Sequence, residues 1–132
     1  MDEDKVNVKS FVNFQKLTPT ELMQLTQSGR VFRTTEIANA CALFDYPDLQ
    51  GRAISSGKVD EDILVHLSKS VYPTIRMAIA SHAKSPKLIK ELSMDPHLDV
   101  KKCAIYNSFA PADVALLRAK YELEKRLKQK II

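Results

Sequence analysis

The chain has 132 residues, 45% of them hydrophobic and 27% charged, a length and balance that fit one domain with one core and exclude bulk disorder. Its net charge is +4, and three Gly with abundant Leu, Ile, Ala, Lys and Glu favour helix over a turn-rich β architecture, so an all-α fold is expected. No apolar run approaches the length of a membrane span, and the start, MDEDKVNV, is acidic where a secretory signal would be basic and then apolar. A cytoplasmic location is the expectation.

In chain order, residues 1–17 begin polar and then carry Val8, Phe11, Val12 and Phe14, a lead-in whose aromatics would pack on the first helix. At LTPTELMQLTQSG the signals sharpen. Thr18 suits the N-cap, Pro19 the first helical position, and Glu21 can reach back to complete a capping box, while Gly29 can end the helix in a left-handed conformation. A second helix is expected from Thr35 to Phe44, with Ile37, Ala38, Cys41 and Phe44 on one face, making residues 18–45 a helical hairpin.

From Tyr46 the chain repeats itself. Placing Ala53-Ile54 over Ala78-Ile79 also places Ser56 over Ser81, Ile63-Leu64 over Leu88-Ile89, and Leu67-Ser68 over Leu92-Ser93. A looser third copy pairs Ile75 with Val100, Arg76 with Lys101, Pro86 with Pro111 and Leu92 with Leu117. Three units of about 25 residues are therefore expected over 46–120, each of two short helices, because one such pair cannot bury its own apolar face and stacking supplies the cover. The first helices should open at Pro47, Pro73 and Pro96, and the second at the capping residues Asp60 and Ser85. Gly57 should end the first helix of its unit, and Ala53, Ala78, Ala80 and Ala104 should let the helices approach closely.

The run YPTIRMAIASHAKSPKLIKELSMDPHLDVKKCAIYNSFAP, residues 72–111, resembles the leucine-rich repeat variant family. Asp95-Pro96, Val100-Lys101, Ala104-Ile105 and Asn107 carry one copy of its pattern; Ile75-Arg76, Ala78-Ile79, Ser85-Pro86 and Leu92 carry another. The resemblance implies a short right-handed α-solenoid related to HEAT repeats, some of its helices 3₁₀, and leans towards a bacterial source. It implies no activity, since such repeats mainly hold other macromolecules. An iron–sulfur cluster found in that family sits on a separate cysteine-rich segment with no counterpart in this chain, so no cofactor is expected.

No catalytic constellation stands out. Ser85 and Asp95 read as caps before proline, the acids at Asp60–Asp62 suit a first helical turn, and no Gly-rich phosphate loop is present. Cys41 and Cys103 read as small buried thiols, and His66, His82 and His97 stand at no metal-ligand spacing, so neither an enzyme nor a metal site is expected. The informative segment is the last one. Residues 116–132 hold six basic residues against two acids, which leaves the rest of the chain neutral. DVALLRAKYELEKRLKQKII should form one long helix over 112–132, its first half covering the last unit with Leu117 and Tyr121. Its remainder reads in three ways: as a plain terminal helix, as a contact for nucleic acid or an anionic membrane, or, through Arg118, Leu123, Lys125, Arg126, Leu127, Lys128, Lys130 and Ile131, as a partner-binding face for another protein or for a second copy of the chain. Arg76, Lys101 and Lys102 form a candidate basic edge along successive units. An adaptor or regulator that binds protein is the first reading; a nucleic-acid-binding protein using the basic helix and that edge is the alternative.

Overall fold

The computed structural model describes Phe32 and residues 34–131. The lead-in and the expected helix at Thr18–Gly29 lie outside the described residues. Seven helices and no strand make up the described chain: α1 (Thr35–Ala42), α2 (Pro47–Ser55), α3 (Glu61–Leu67), α4 (Pro73–His82), α5 (Pro86–Leu92), α6 (Leu98–Ile105) and α7 (Ala112–Ile131).

Local chemistry sets most of these boundaries. The Thr34 hydroxyl accepts from the Ile37 N–H at the start of α1, and the Ser85 hydroxyl accepts from the Leu88 N–H at the start of α5. Pro47, Pro73 and Pro86 each take the first helical position, where a missing N–H is harmless. Gly57 comes just after the end of α2 with φ +77°, the left-handed conformation expected of it.

Three starts and ends differ from expectation. Helix α1 stops at Ala42 and leaves Phe44 packed on the core from the next turn. Asp60 precedes α3 without capping it, because its carboxylate accepts from Asn39 Nδ2 while its N–H donates to Asn39 Oδ1, a reciprocal pair that ties α1 to the α3 start. Helix α6 begins at Leu98 and not at Pro96. The Asp95 carboxylate is drawn to Arg76 and accepts from the His97 N–H, so residues 95–97 form a turn, and His97 Nδ1 becomes the cap by accepting from the Asp99 N–H.

Helices α2, α4 and α6 pack on one another in order, α2 on α4 and α4 on α6, with α1 against α2. Small residues permit this. Ala53, Ala80 and Ala104 are fully buried, and a Cβ at Gly51 would sit 3.9 Å from Ile75 Cδ1, so the α2 backbone lies close to α4. Ala78 is only half-buried and turns partly aside. The remaining helices pack beside these: α3 on α4, α5 on both α4 and α6, and α7 on α6. One core runs through these contacts, with Ile54, Ile79, Ile89 and Val100 buried in it. Burying each such side chain contributes roughly 1.5–3 kcal/mol.

Polar clasps then join separate elements. Asn107 is buried, and its amide donates to both the Ala80 and Ala83 carbonyls, each at 2.8 Å, closing the C-terminal end of α4. Its oxygen accepts from the Phe109 N–H. Gln50 does the same for α1, donating to the Ala42 carbonyl at 3.0 Å. Both side chains satisfy carbonyls that a helix end leaves without an intrahelical partner.

Candidate interaction surface

Helix α7 has twenty residues, enough for about 30 Å of length. Its first half is anchored. Val114 is buried against the core, Tyr121 packs beside it two turns later, and Asp113 pairs with Lys90 at 2.8 Å. That pair holds the Lys90 ammonium above, and the Asp113 carboxyl below, their ordinary ranges, the mutual hydrogen bond being the main cause in each.

Around Tyr121 the fastening becomes aromatic. Its ring meets Tyr106 edge-on at 6.4 Å and 89°, and Lys102 Nζ lies 5.3 Å above it, near enough for a cation–π contact. The Tyr106 hydroxyl donates to Glu122 Oε1, which raises the Tyr106 pKa. These contacts come from α6 and its C-cap, and no pattern in the sequence signals them.

Leu117, expected to cover the core, is 43% exposed and does not. Val114 does, because a residue seven before Tyr121 returns to the same side of a helix, while Leu117 falls between that side and the opposite one. Leu116, Leu123 and Leu127 lie on that opposite side, roughly 160° round from Val114, at 70%, 58% and 50% exposure. Every residue from Leu123 to Lys130 is exposed. Lys120 and Glu124 flank the leucine stripe on one side and Arg126 and Lys130 on the other, whereas Lys125 and Lys128 lie further round. Arg118 is half-buried on the anchored side, and the side chain of Ile131 lies outside the described residues.

The candidate basic edge is less uniform than its spacing suggests. Arg76 turns inward: its guanidinium makes a two-point contact with Asp95, at 2.8 and 3.3 Å, and donates to the Ser70 carbonyl at 2.7 Å. The two side chains are only 15% and 8% exposed. Burial alone would push the Asp95 carboxyl upward; the Arg76 hydrogen bonds, the His97 N–H and the neighbouring positive charge outweigh it and hold the pKa below the usual value. Lys101 stays exposed and Lys102 lies over Tyr121. The three do not present one row of charge.

Elsewhere, a cleft of about 320 Å³ lies between the α3 start and the α4 end, lined by Thr35, Asp60, Glu61, His82 and Lys84. Glu61 Oε1 accepts from the Lys84 N–H, and Oε2 is buried without a hydrogen-bond partner. Among the described residues, no cluster of three or more His, Cys, Asp or Glu side chains is placed to hold a metal ion, and no helix is long and apolar enough to cross a membrane. Cys41 is a buried free thiol whose pKa burial pushes up to about 11, which leaves it protonated and unreactive at neutral pH. Cys103 is half-buried and also free. Compared with known proteins, the chain matches no family model, no curated protein and no solved structure.

Proposed function

We propose that this chain is a non-catalytic interaction module, an adaptor or regulator of cytoplasmic type, that presents α7 to another protein from a short right-handed stack of helical repeats. The observation that carries the reading is the stripe Leu116, Leu123 and Leu127, which faces away from the side of α7 fastened by Val114 and Tyr121. A helix that only closed a core would be apolar on one side. This one is apolar on two. An unpartnered leucine stripe with charged margins is the form in which an amphipathic helix enters a groove.

The repeat reading draws support from the helix starts, which recur at offsets of 25 or 26 residues from Pro47 to Pro73 and Leu98, and from Glu61 to Pro86 and Ala112. The resemblance of residues 72–111 to leucine-rich repeat variant proteins points the same way, towards a holding surface. The test is affinity capture with the intact chain and with a Leu123→Ser/Leu127→Ser variant. A protein retained by the intact chain at elevated salt and lost by the variant is the expected result; equal capture by both would overturn the assignment.

The six basic residues of segment 116–132 favour a second reading, contact with nucleic acid. Neutralising about four phosphates would give a log–log salt slope near −3.6, and binding would fall roughly 100-fold or more between about 50 and 200 mM salt. Fluorescence anisotropy of a labelled duplex and a single strand, with the intact chain and one ending at Glu122, separates the readings. The engagement of Arg76 by Asp95 counts against a phosphate-binding edge on the repeats.

A further inference from the structure

Resting on the reading of α7 as a docking helix, we propose that its occupant is a second copy of this chain, laid antiparallel along the leucine stripe. The stripe continues in a regular seam. Asp113, Leu116, Lys120, Leu123, Leu127 and Lys130 succeed one another at alternating spacings of three and four residues, the spacing at which two helices wind together. All six side chains are exposed.

The charges choose the direction. In a parallel pair each seam residue meets its own kind, so Asp113, Lys120 and Lys130 would each face a like charge. Reversing one helix places Asp113 opposite the partner's Lys130, Leu116 opposite the partner's Leu127, and Lys120 beside the partner's Leu123, and two-fold symmetry repeats each contact. In the same register Lys120 comes within reach of the partner's Glu124. Asp113 already binds Lys90 at 2.8 Å, and a carboxylate has lone pairs for a second cation. The fastened side of α7 faces the body, so two bodies would lie on opposite outer sides of the helix pair.

Charge also sets the strength. Lys125 and Lys128 point away from the seam, yet each copy still brings the surplus positive charge of segment 116–132, and three leucines per copy make a small interface. The dimer is accordingly of the weak, transient class. Screening should tighten it. An acidic protein or a phosphate backbone would instead be held less well as salt rises.

The test is sedimentation velocity of the intact chain across a wide concentration range, at low and at high salt. It is paired with disulfide trapping of Leu116→Cys and Leu127→Cys chains, each carrying Cys103→Ser. The expected result is a concentration-dependent shift from monomer to twice the mass that salt strengthens and Leu123→Ser/Leu127→Ser removes. Cross-linked dimers should form far more readily in the mixture of the two cysteine variants than in either alone. A monomer at every concentration, a dimer weakened by salt, or equal trapping of each variant alone would overturn the proposal. Thermal melting of each variant checks that it is folded. If the chain is monomeric while capture of another protein still depends on Leu123 and Leu127, only the second-copy assignment falls; if neither depends on them, the docking reading falls with it.

Discussion

Helix α4 has ten residues and α7 twenty, yet α4 buries Ile75, Ile79 and Ala80 completely while α7, among its described side chains, buries only Val114 to that degree. The shorter helix is enclosed by α2, α3, α5 and α6; the longer one meets α6 along part of its length and then runs on into solvent. The contrast separates two uses of leucine and isoleucine in one small chain. In α4 they hold the body together. In the distal half of α7 they contribute little to the body, so a role outside it is the economical account of their presence.

The largest effect expected from breaking that contrast is at Ile79. Replacing it with Ala should cost about 4 kcal/mol, through lost burial and the cavity left behind, whereas Leu127→Ala should change stability by less than about 0.5 kcal/mol. Urea denaturation of the two variants compares them directly. Next comes Asn107→Ala, which strips two buried helix-end carbonyls of their donor and should cost about 3 kcal/mol, read in the same way.

Asp95→Asn ranks third, at about 2 kcal/mol near pH 7, because the neutral amide keeps the shape but loses the charge facing Arg76. The folded-state pKa of Asp95 is depressed, so its contribution is fully present above the unfolded carboxyl value near 4 and is lost as pH falls through the lower folded value. Stability of the intact chain measured from pH 6 downward should therefore decline on an acid limb that the variant shows in weakened form. Gly57→Ala should cost about 1 kcal/mol by calorimetry, from backbone strain at φ +77° alone, since an added Cβ meets nothing within 4 Å. Smallest of all, Leu123→Ser/Leu127→Ser should leave the melting temperature within a degree or two, while removing the docking and self-association proposed for α7.

Much of the helical body was legible because its signals are local. Pro47 and Pro73 at first helical positions, Ser85 as a cap and Gly57 as a stop each act within a few residues. The Ala-Ile step is a poorer guide: counted from the helix starts, Ala53 of α2 matches Ile79 of α4 and Ala104 of α6, all fully buried, while Ala78 falls one position off and is half-buried. The clasps were not legible. Asn107 and Gln50 bind backbone carbonyls, which carry no residue identity, and Asp60 and Glu61 look like ordinary first-turn acids until Asn39 and the Lys84 N–H are brought to them. The same limit explains Asp95, which reads as a cap beside Pro96 and becomes the counter-ion of a guanidinium nineteen residues earlier. In α7 the periodicity gave two apolar lines, and the pairing of Val114 with Tyr121 decides which one faces inward.

The clasp at Asn107 also bears on how far the chain can be shortened. The last carbonyls of α4 take their donor from 24 residues beyond Ala83, so a fragment ending before residue 107 can form the turns of α4 but has nothing of its own to close the helix end. Water would have to fill the place of the amide, and the terminus would fray. The protein's middle is thus finished by its later part, and α4 is complete only in a chain that reaches past Asn107.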